Sequence, residues 1–275
     1  IAPTVATDVF TRISSTAVLK KPAGSDYSSW SGYFARTEEY VASISGSCGA
    51  NVNWTLKDGV LTISGSGNMN DYSYNTTPWY KYKSDIKSVI IKSGVTSISA
   101  YSFFNYNIKS VEIPNSVTTI GEYAFSGCYF LTSIEIPGSV LSFGRGVFSG
   151  CASLEKVELG NGVTTIGYDM FNGCEVLTSI VIPNGVTGIG NSAFSNCYSL
   201  ASVEIPNTVT SIGESAFYNC KKITSIKIPN SVVWIHIGAF RGCISLASVD
   251  MGDGVIYIGS SAFNGCTALT NVKIG

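Results

Sequence analysis

Apolar and polar positions alternate in a block that recurs every 23 residues along most of the chain. In the block LTSIEIPGSVLSFGRGVFSGCAS, which begins at Leu131, the recurring apolar positions are Leu131, Ile134, Ile136, Val140, Phe143, Val147, Phe148 and Cys151. Blocks of this kind begin at Ile86, Ile108, Leu131, Leu154, Leu177, Leu200, Ile223, Leu246 and Leu269. The first block is one residue short, and the last ends after its first apolar stretch. A period of about 20 to 29 residues predicts a solenoid, here of roughly eight full turns.

Each block contains the signals of two extended pieces and one compact piece. In SIEIP, Ile134 and Ile136 alternate with Ser133 and Glu135, which is the period-2 pattern of a half-buried strand. Proline or glycine then ends the strand, and Asn-Ser or Asn-Gly turns the chain. A second extended piece, VTTI at 117–120, leads to a nearly constant glycine and to Ala124, Phe125 and Cys128. Their spacing of three and four residues predicts a short helical turn.

These blocks predict an α/β repeat solenoid over residues 86–275, with parallel strands and short helical turns in a right-handed superhelix. One turn cannot bury enough apolar surface to fold alone, so identical side chains of successive turns must cover one another. We expect an inner ladder that contains Phe125, Phe148, Phe171, Phe194, Phe217, Phe240 and Phe263.

The two ends of the solenoid differ in sequence. VNWTLKDGVLTISG predicts two strands around a turn at Asp58-Gly59, so residues 46–85 are interpreted as a small β-rich cap. Residues 1–45 give no clear structural signal. At the other end, TNVKIG leaves Val272 and Ile274 on an unpaired strand, and such an edge favours self-association.

Composition excludes several classes of partner. The chain has 17 Lys and Arg against 18 Asp and Glu, and only 13% of its 275 residues are charged, so nucleic acid is not expected as a partner. No apolar run approaches the roughly 18 to 20 residues that cross a bilayer, so no membrane span is predicted. The chain begins at Ile1, which fits either a removed leader or a fragment of a longer protein.

Seven of the eight cysteines follow the repeat. They are Cys128, Cys151, Cys174, Cys197, Cys220, Cys243 and Cys266. No pair has the close spacing of zinc ligands, so no metal or other cofactor is predicted. Disulfides between neighbouring turns are geometrically conceivable, but in-register thiols that point the same way pack well as a buried ladder. We therefore predict free buried thiols.

The block LTSIEIPGSVLSFGRGVFSGC resembles the BspA-type leucine-rich repeats of bacterial surface proteins, and residues 86–275 carry this resemblance. Upstream, GSCGANVNWTLKDGVLTISGSGNMNDY followed by PWYKYKSDIKSVII resembles the N-terminal module that often precedes such repeats. The resemblance implies a leucine-rich-repeat superhelix. It also implies a secreted or surface-attached protein of a host-associated bacterium, with a role in adhesion or recognition.

Outward strand positions on the expected concave face form a row that is rich in carboxylates. Glu112, Glu135 and Glu158 come from successive blocks, and Glu204 belongs to the same row. A separation near 5 Å matches the carboxylate pair of a retaining glycosidase, so a carbohydrate-active enzyme has to be considered. No histidine, tyrosine cluster or second acid is placed to divide the acid and nucleophile roles, and we predict no catalysis. The remaining interpretations are a solvated charged row and a contact for a cation or another ligand.

His236, the only histidine, replaces the glycine of the other blocks. Trp234 and Tyr257 share one position on successive turns, so we expect their rings to lie side by side. Exposed aromatic neighbours are typical of a contact surface, and the alternative is local packing around an irregular turn.

Three function classes follow from the sequence. They are a non-catalytic binding or adhesion module for a host or microbial protein or glycan, a structural spacer in a larger surface protein, and a carbohydrate-active enzyme. Outward positions that vary between Glu, Val and Lys on a constant scaffold favour the binding module.

Overall fold

The computed structural model describes residues 16–22, 24–34, 36–40 and 43–275. In its N-terminal part, strand β1 (Val18–Pro22) pairs in parallel with β2 (Arg36–Tyr40), and a 3-10 helix (Ser28–Tyr33) lies between them. The segment 1–45, for which the sequence predicts no structure, thus lies partly outside the described residues. None of the described helices has the length and hydropathy to cross a bilayer.

Three antiparallel strands precede the solenoid and join its sheet. They are β3 (Ile44–Ser47), β4 (Val52–Lys57) and β5 (Val60–Gly65), and β5 pairs in parallel with β6 (Ser88–Ile91). The turn between β4 and β5 has positive φ at both central residues, Asp58 (51°) and Gly59 (78°), as a two-residue hairpin requires. A second 3-10 helix (Tyr80–Tyr82) follows, and the division of the chain at residues 45 and 85 stays a prediction.

Two series of parallel strands alternate along the rest of the chain. After β6, the longer strands are β8 (Ser110–Glu112), β10 (Ser133–Ile136), β12 (Lys156–Leu159), β14 (Ser179–Val181), β16 (Ser202–Glu204), β18 (Ser225–Ile228), β20 (Ser248–Met251) and β22 (Asn271–Ile274). The two-residue strands are β7 (Ser97–Ile98), β9 (Thr119–Ile120), β11 (Ser142–Phe143), β13 (Thr165–Ile166), β15 (Gly188–Ile189), β17 (Ser211–Ile212), β19 (Trp234–Ile235) and β21 (Tyr257–Ile258). Strands of one series stack only on strands of the same series. The predicted parallel-strand solenoid is therefore confirmed, and its right-handed sense stays a prediction.

Outward side chains of the two series define two surfaces, called here the long-strand face and the short-strand face. Both sheets are interrupted. The short strands form one ladder from β7 to β11 and another from β13 to β21, so no ladder joins β11 to β13. The long strands are likewise unpaired between β8 and β10, between β12 and β14, and between β16 and β18.

The third side of each turn is not the predicted helical turn, and among the described residues the α of the predicted α/β class is wrong. The amide of Phe125 donates a hydrogen bond to the carbonyl of Val147 in the next turn (3.0 Å). The amide of Cys128 instead donates to the carbonyl of Phe125, three residues earlier (3.2 Å). Amides thus alternate between the next turn and the local turn, whereas an α-helix would keep all of them in its own chain segment.

Left-handed residues cause this departure from helix. Tyr123 and Gly127 have φ values of 51° and 69°, and the next turn repeats them at Gly146 (61°) and Gly150 (73°). A positive φ every fourth residue interrupts any right-handed helix. The spacing of Ala124, Phe125 and Cys128 that predicted a helix arises instead from consecutive tight turns.

The predicted phenylalanine ladder is present and longer than expected. From Phe125 to Phe263, ring centroids of successive turns lie 5.2 to 5.7 Å apart, with interplanar angles of 11° or less. Phe103 and Trp79 extend the stack toward the N-terminus at 5.2 and 5.8 Å. Continuous stacking makes each ring part of the contact surface of two neighbours.

The cysteine ladder is also present, with every thiol free and buried. Each Sγ of the ladder donates to the carbonyl oxygen of a phenylalanine in the preceding turn, as Cys197 does to Phe171 at 3.2 Å. Burial raises the pKa of Cys197 and of Cys243 to about 12, and burial alone has the same effect on Cys48, which lies outside the ladder. Because the thiolate is the reactive form, these thiols are chemically inert while the fold is intact.

The last strand, β22, pairs with β20. Its apolar residues Val272 and Ile274 are 45% and 75% exposed. Self-association through this strand stays a prediction.

We expect Phe194→Ala to lower the free energy of unfolding by about 3 to 5 kcal/mol, because it opens a cavity between two stacked rings. Denaturant titration checks this, with the exposed Val181→Ala as a control that should change stability by less than about 0.5 kcal/mol. A loss below about 1 kcal/mol for Phe194→Ala would contradict the role of the stack.

We expect the eight cysteines to resist a thiol reagent at pH 8 in the folded protein and all to react after denaturation without reductant. Thiol titration in the two states measures this. If fewer than about five of the seven ladder thiols react in denaturant, disulfides are present and the free-thiol ladder is wrong.

Candidate functional site

The exposed aromatic cluster lies at the C-terminal end of the short-strand face. Trp234 on β19 is in register with Tyr257 on β21, and their ring centroids are 5.5 Å apart at 46°. The His236 ring lies 6.5 Å from that of Trp234 at 20°. Trp234 and Tyr257 are 47% and 43% exposed, and the neighbouring Ile237 is also exposed. The structure therefore brings together the three residues that the sequence grouped.

The fold does not need aromatic residues at this position. The same register position along the short-strand ladders is held by Ser97, Thr119, Ser142, Thr165, Gly188 and Ser211. Because small residues suffice in these six turns, the rings of Trp234 and Tyr257 add surface without being required for stacking.

The glutamates lie apart from this cluster, on the long-strand face. Glu135 and Glu158 are in register on β10 and β12, while Glu112 lies on β8 and Glu204 on β16. Lys156 forms an ion pair with Glu158. Its hydrogen bond to Glu158, the charge of Glu158 and, more weakly, the charge of Glu135 raise the pKa of Lys156.

This row has no enclosed geometry. Val181, which is 79% exposed, interrupts it between Glu158 and Glu204. The described residues hold no group of three or more His, Cys, Asp or Glu side chains that is arranged to bind a metal ion. The row is an exposed charged surface rather than a cleft around a bond.

Sequence reasoning missed a groove that runs along the solenoid axis beside the aromatic cluster. It encloses about 570 Å³ and crosses four turns, with Gly144, Gly167, Gly190 and Gly213 along its floor. Tyr168, 57% exposed, lies in its wall. His236 takes the position of these glycines in the next turn and lines the groove at that end.

The groove begins where the short-strand ladder is interrupted. Phe143 stands in β11 at a position that is isoleucine in the other short strands, and no ladder joins β11 to β13. We attribute the gap to the larger ring of Phe143, which is only partly buried.

Glycines of the floor differ in how closely the preceding turn approaches them. A Cβ on Gly213 would lie 2.6 Å from the carbonyl carbon of Gly190 and 2.7 Å from the amide nitrogen of Asn191, so glycine is required there. A Cβ on Gly167 would meet only the carbonyl oxygen of Gly144, at 3.8 Å. Gly188, on the adjacent strand, also has room, since the nearest atom would be the Ser211 hydroxyl at 3.6 Å. Two glycines in the middle of the groove are thus not explained by packing.

Comparison with known proteins places the fold in a family. The sequence model of the BspA-type leucine-rich repeat region matches in six copies, over residues 78–201 and 164–275. The chain belongs to the BspA-type leucine-rich repeat family. Its members are typically bacterial surface proteins, and their fold is generally non-enzymatic. No curated protein matches the chain.

Solved structures with related folds come from several bacteria. A leucine-rich repeat protein from Bacteroides ovatus is 23% identical, with a TM-score of 0.55 over 82% of this chain and 75% of that one. A leucine-rich repeat protein from Eubacterium ventriosum is 24% identical, with a TM-score of 0.43 over 85% of both chains. A leucine-rich cell surface protein from Faecalibacterium prausnitzii is 22% identical, with a TM-score of 0.34 over 84% and 95%. At these identities, the Bacteroides ovatus structure supports the fold alone.

We expect Gly213→Ala to destabilise the protein by about 1 to 3 kcal/mol, because its Cβ would overlap the backbone of the preceding turn. The matched variant Gly167→Ala should change the free energy of unfolding by less than about 1 kcal/mol. Urea denaturation of both variants measures the difference. Equal losses of unfolding free energy would show that the space at Gly167 does not accommodate a Cβ.

Proposed function

We propose that this BspA-type protein is a non-catalytic binding module, secreted or displayed at the bacterial surface, that recognises a protein or glycan through outward repeat positions. Trp234 and Tyr257 are its anchors, with His236 beside them. The observation that carries the proposal is the exposure of both rings at a register position where six other turns use Thr, Ser or Gly. Truncation of an aromatic anchor typically costs more than about 2 kcal/mol of binding free energy.

Rigidity of the scaffold supports the same interpretation. The backbones beneath the two rings are paired in register, and Ile235, between Trp234 and His236, is fully buried. A backbone held in this way loses little conformational freedom on binding, which favours affinity. The glutamate row offers a weaker anchor because its charges are exposed and partly paired with Lys156.

We expect Trp234→Ala to weaken binding to a ligand found on protein and glycan arrays by at least about tenfold. The melting temperature should stay within about 2 °C, because small residues are tolerated at this register position. Tyr129→Ala removes a similarly exposed ring on another side of the turn and should leave affinity unchanged.

Two results would contradict the proposal. If Trp234→Ala unfolds the protein and leaves residual affinity intact, Trp234 is a packing residue and the glutamate row is the better candidate. If the wild-type protein binds nothing on either array, the structural spacer is the better interpretation.

A further inference from the structure

We propose that the groove between Phe143 and His236 binds a neutral oligosaccharide chain laid along the solenoid axis, with Trp234 stacking on its terminal sugar. The proposal rests on the proposed function as a binding module and names a site and a ligand class for it. The groove volume of about 570 Å³ lies within the usual range of ligand sites, roughly 300 to 1,000 Å³.

Open glycines give the first argument. Gly167 and Gly188 are the positions where a side chain would fit, and both line the groove at its centre. Threonine at position 188, as found at Thr119 and Thr165, would place its side chain in this space. The depth of the groove is therefore set by glycines that packing does not demand.

Charge gives the second argument. Arg145 is the only lysine or arginine that lines the groove, and its Nη2 lies 2.7 Å from Asp169 Oδ2. Glu214 adds a carboxylate to the same wall. The groove disfavours phosphates, sulfates and acidic sugars, because its one guanidinium is already paired and its wall carries a carboxylate.

Neutral hydrogen-bonding groups line the remaining surface. The hydroxyls of Thr165 and Ser211 form no hydrogen bond with the described residues. Asn191 Oδ1 accepts from the Glu214 amide at 2.9 Å, which leaves the side-chain nitrogen of Asn191 without a partner among the described residues. Hydroxyls and an amide beside the exposed Tyr168 ring suit a sugar, which presents both a hydroxyl rim and an apolar C–H face.

Direction gives the third argument. The groove runs across the short strands, and β15, β17 and β19 beneath it are paired on both sides, so that only the edge of β13 toward β11 is free. An extended peptide gains its affinity by adding to a free strand edge, which the groove from β15 to β19 does not offer. Successive floor glycines follow the turn spacing, which is 5.3 to 5.7 Å in the adjoining phenylalanine stack. A chain of sugars can therefore place consecutive rings over consecutive turns.

The test uses an array of neutral and acidic oligosaccharides of different lengths, followed by calorimetry with the best-bound neutral member. We expect the wild-type protein to bind a neutral chain, and Gly188→Thr to weaken that binding at least about tenfold by filling the groove. Gly138→Thr is the matched control, because it adds the same atoms at a glycine outside the groove whose nearest neighbour would be 3.7 Å away. Its affinity should equal that of the wild type.

The outcomes separate this proposal from the proposed function. If Gly188→Thr binds as well as wild type while Trp234→Ala loses binding, the groove proposal is overturned and the aromatic anchor stands. If the protein selectively binds acidic glycans, the groove proposal is overturned. If it binds no glycan but its binding to a protein ligand depends on Trp234, the groove proposal is again overturned and the proposed function stands. If Gly188→Thr misfolds, Tyr168→Ala is measured in its place, because truncation of that exposed ring leaves the backbone unchanged. An affinity equal to that of the wild type would again refute the groove proposal.

Discussion

Hydrogen bonding between equivalent residues of successive turns is the constraint on which this molecule depends. Each turn is too short to bury its own apolar residues, so its backbone amides and carbonyls pair with the turns on either side. This pairing fixes the register, and the register forces like side chains to stack. The phenylalanine stack, the cysteine ladder and the glycine floor are three results of the same constraint.

Stacking in register also explains where the surface can vary. An inward side chain contacts the equivalent side chain in each of the two neighbouring turns, so a substitution there disturbs the packing of three turns. Outward positions contact solvent, and the same position carries Ser211, Trp234 and Tyr257 in consecutive turns. Interruption of a ladder, as between β11 and β13, is the second source of variety, because it opens space that a continuous ladder would close.

The sequence predicts the features that follow from the repeat period. It does not predict the features that depend on the sign of the backbone φ angle or on which neighbouring strands pair. Constant spacing from Phe125 to Phe263 is sufficient for the ladder, whereas Phe103 was missed because its block is one residue short. The helical turn was wrong because left-handed φ falls on residues such as Tyr123, Ser192 and Ser215, whose types do not indicate it. The grouping of Trp234, His236 and Tyr257 was visible from the repeat. The groove was not visible from the repeat. The sequence does contain one signal of it, because Gly188 stands at a register position that carries a hydroxyl or aromatic residue in the other turns.

Burial of the thiols determines how the protein responds to unfolding in an oxidising environment. While the turns are stacked, the thiols from Cys128 to Cys243 are shielded from an oxidant, because each is fully buried between turns and bonded to a carbonyl. A chain that unfolds exposes these thiols at equal intervals, and an oxidant can then join them in mispaired disulfides that prevent the turns from restacking. For a protein displayed outside the cell, as proposed above, such oxidation would make unfolding irreversible. The lifetime of the protein is then governed by the rate at which turns separate, and not by the equilibrium between folded and unfolded chains.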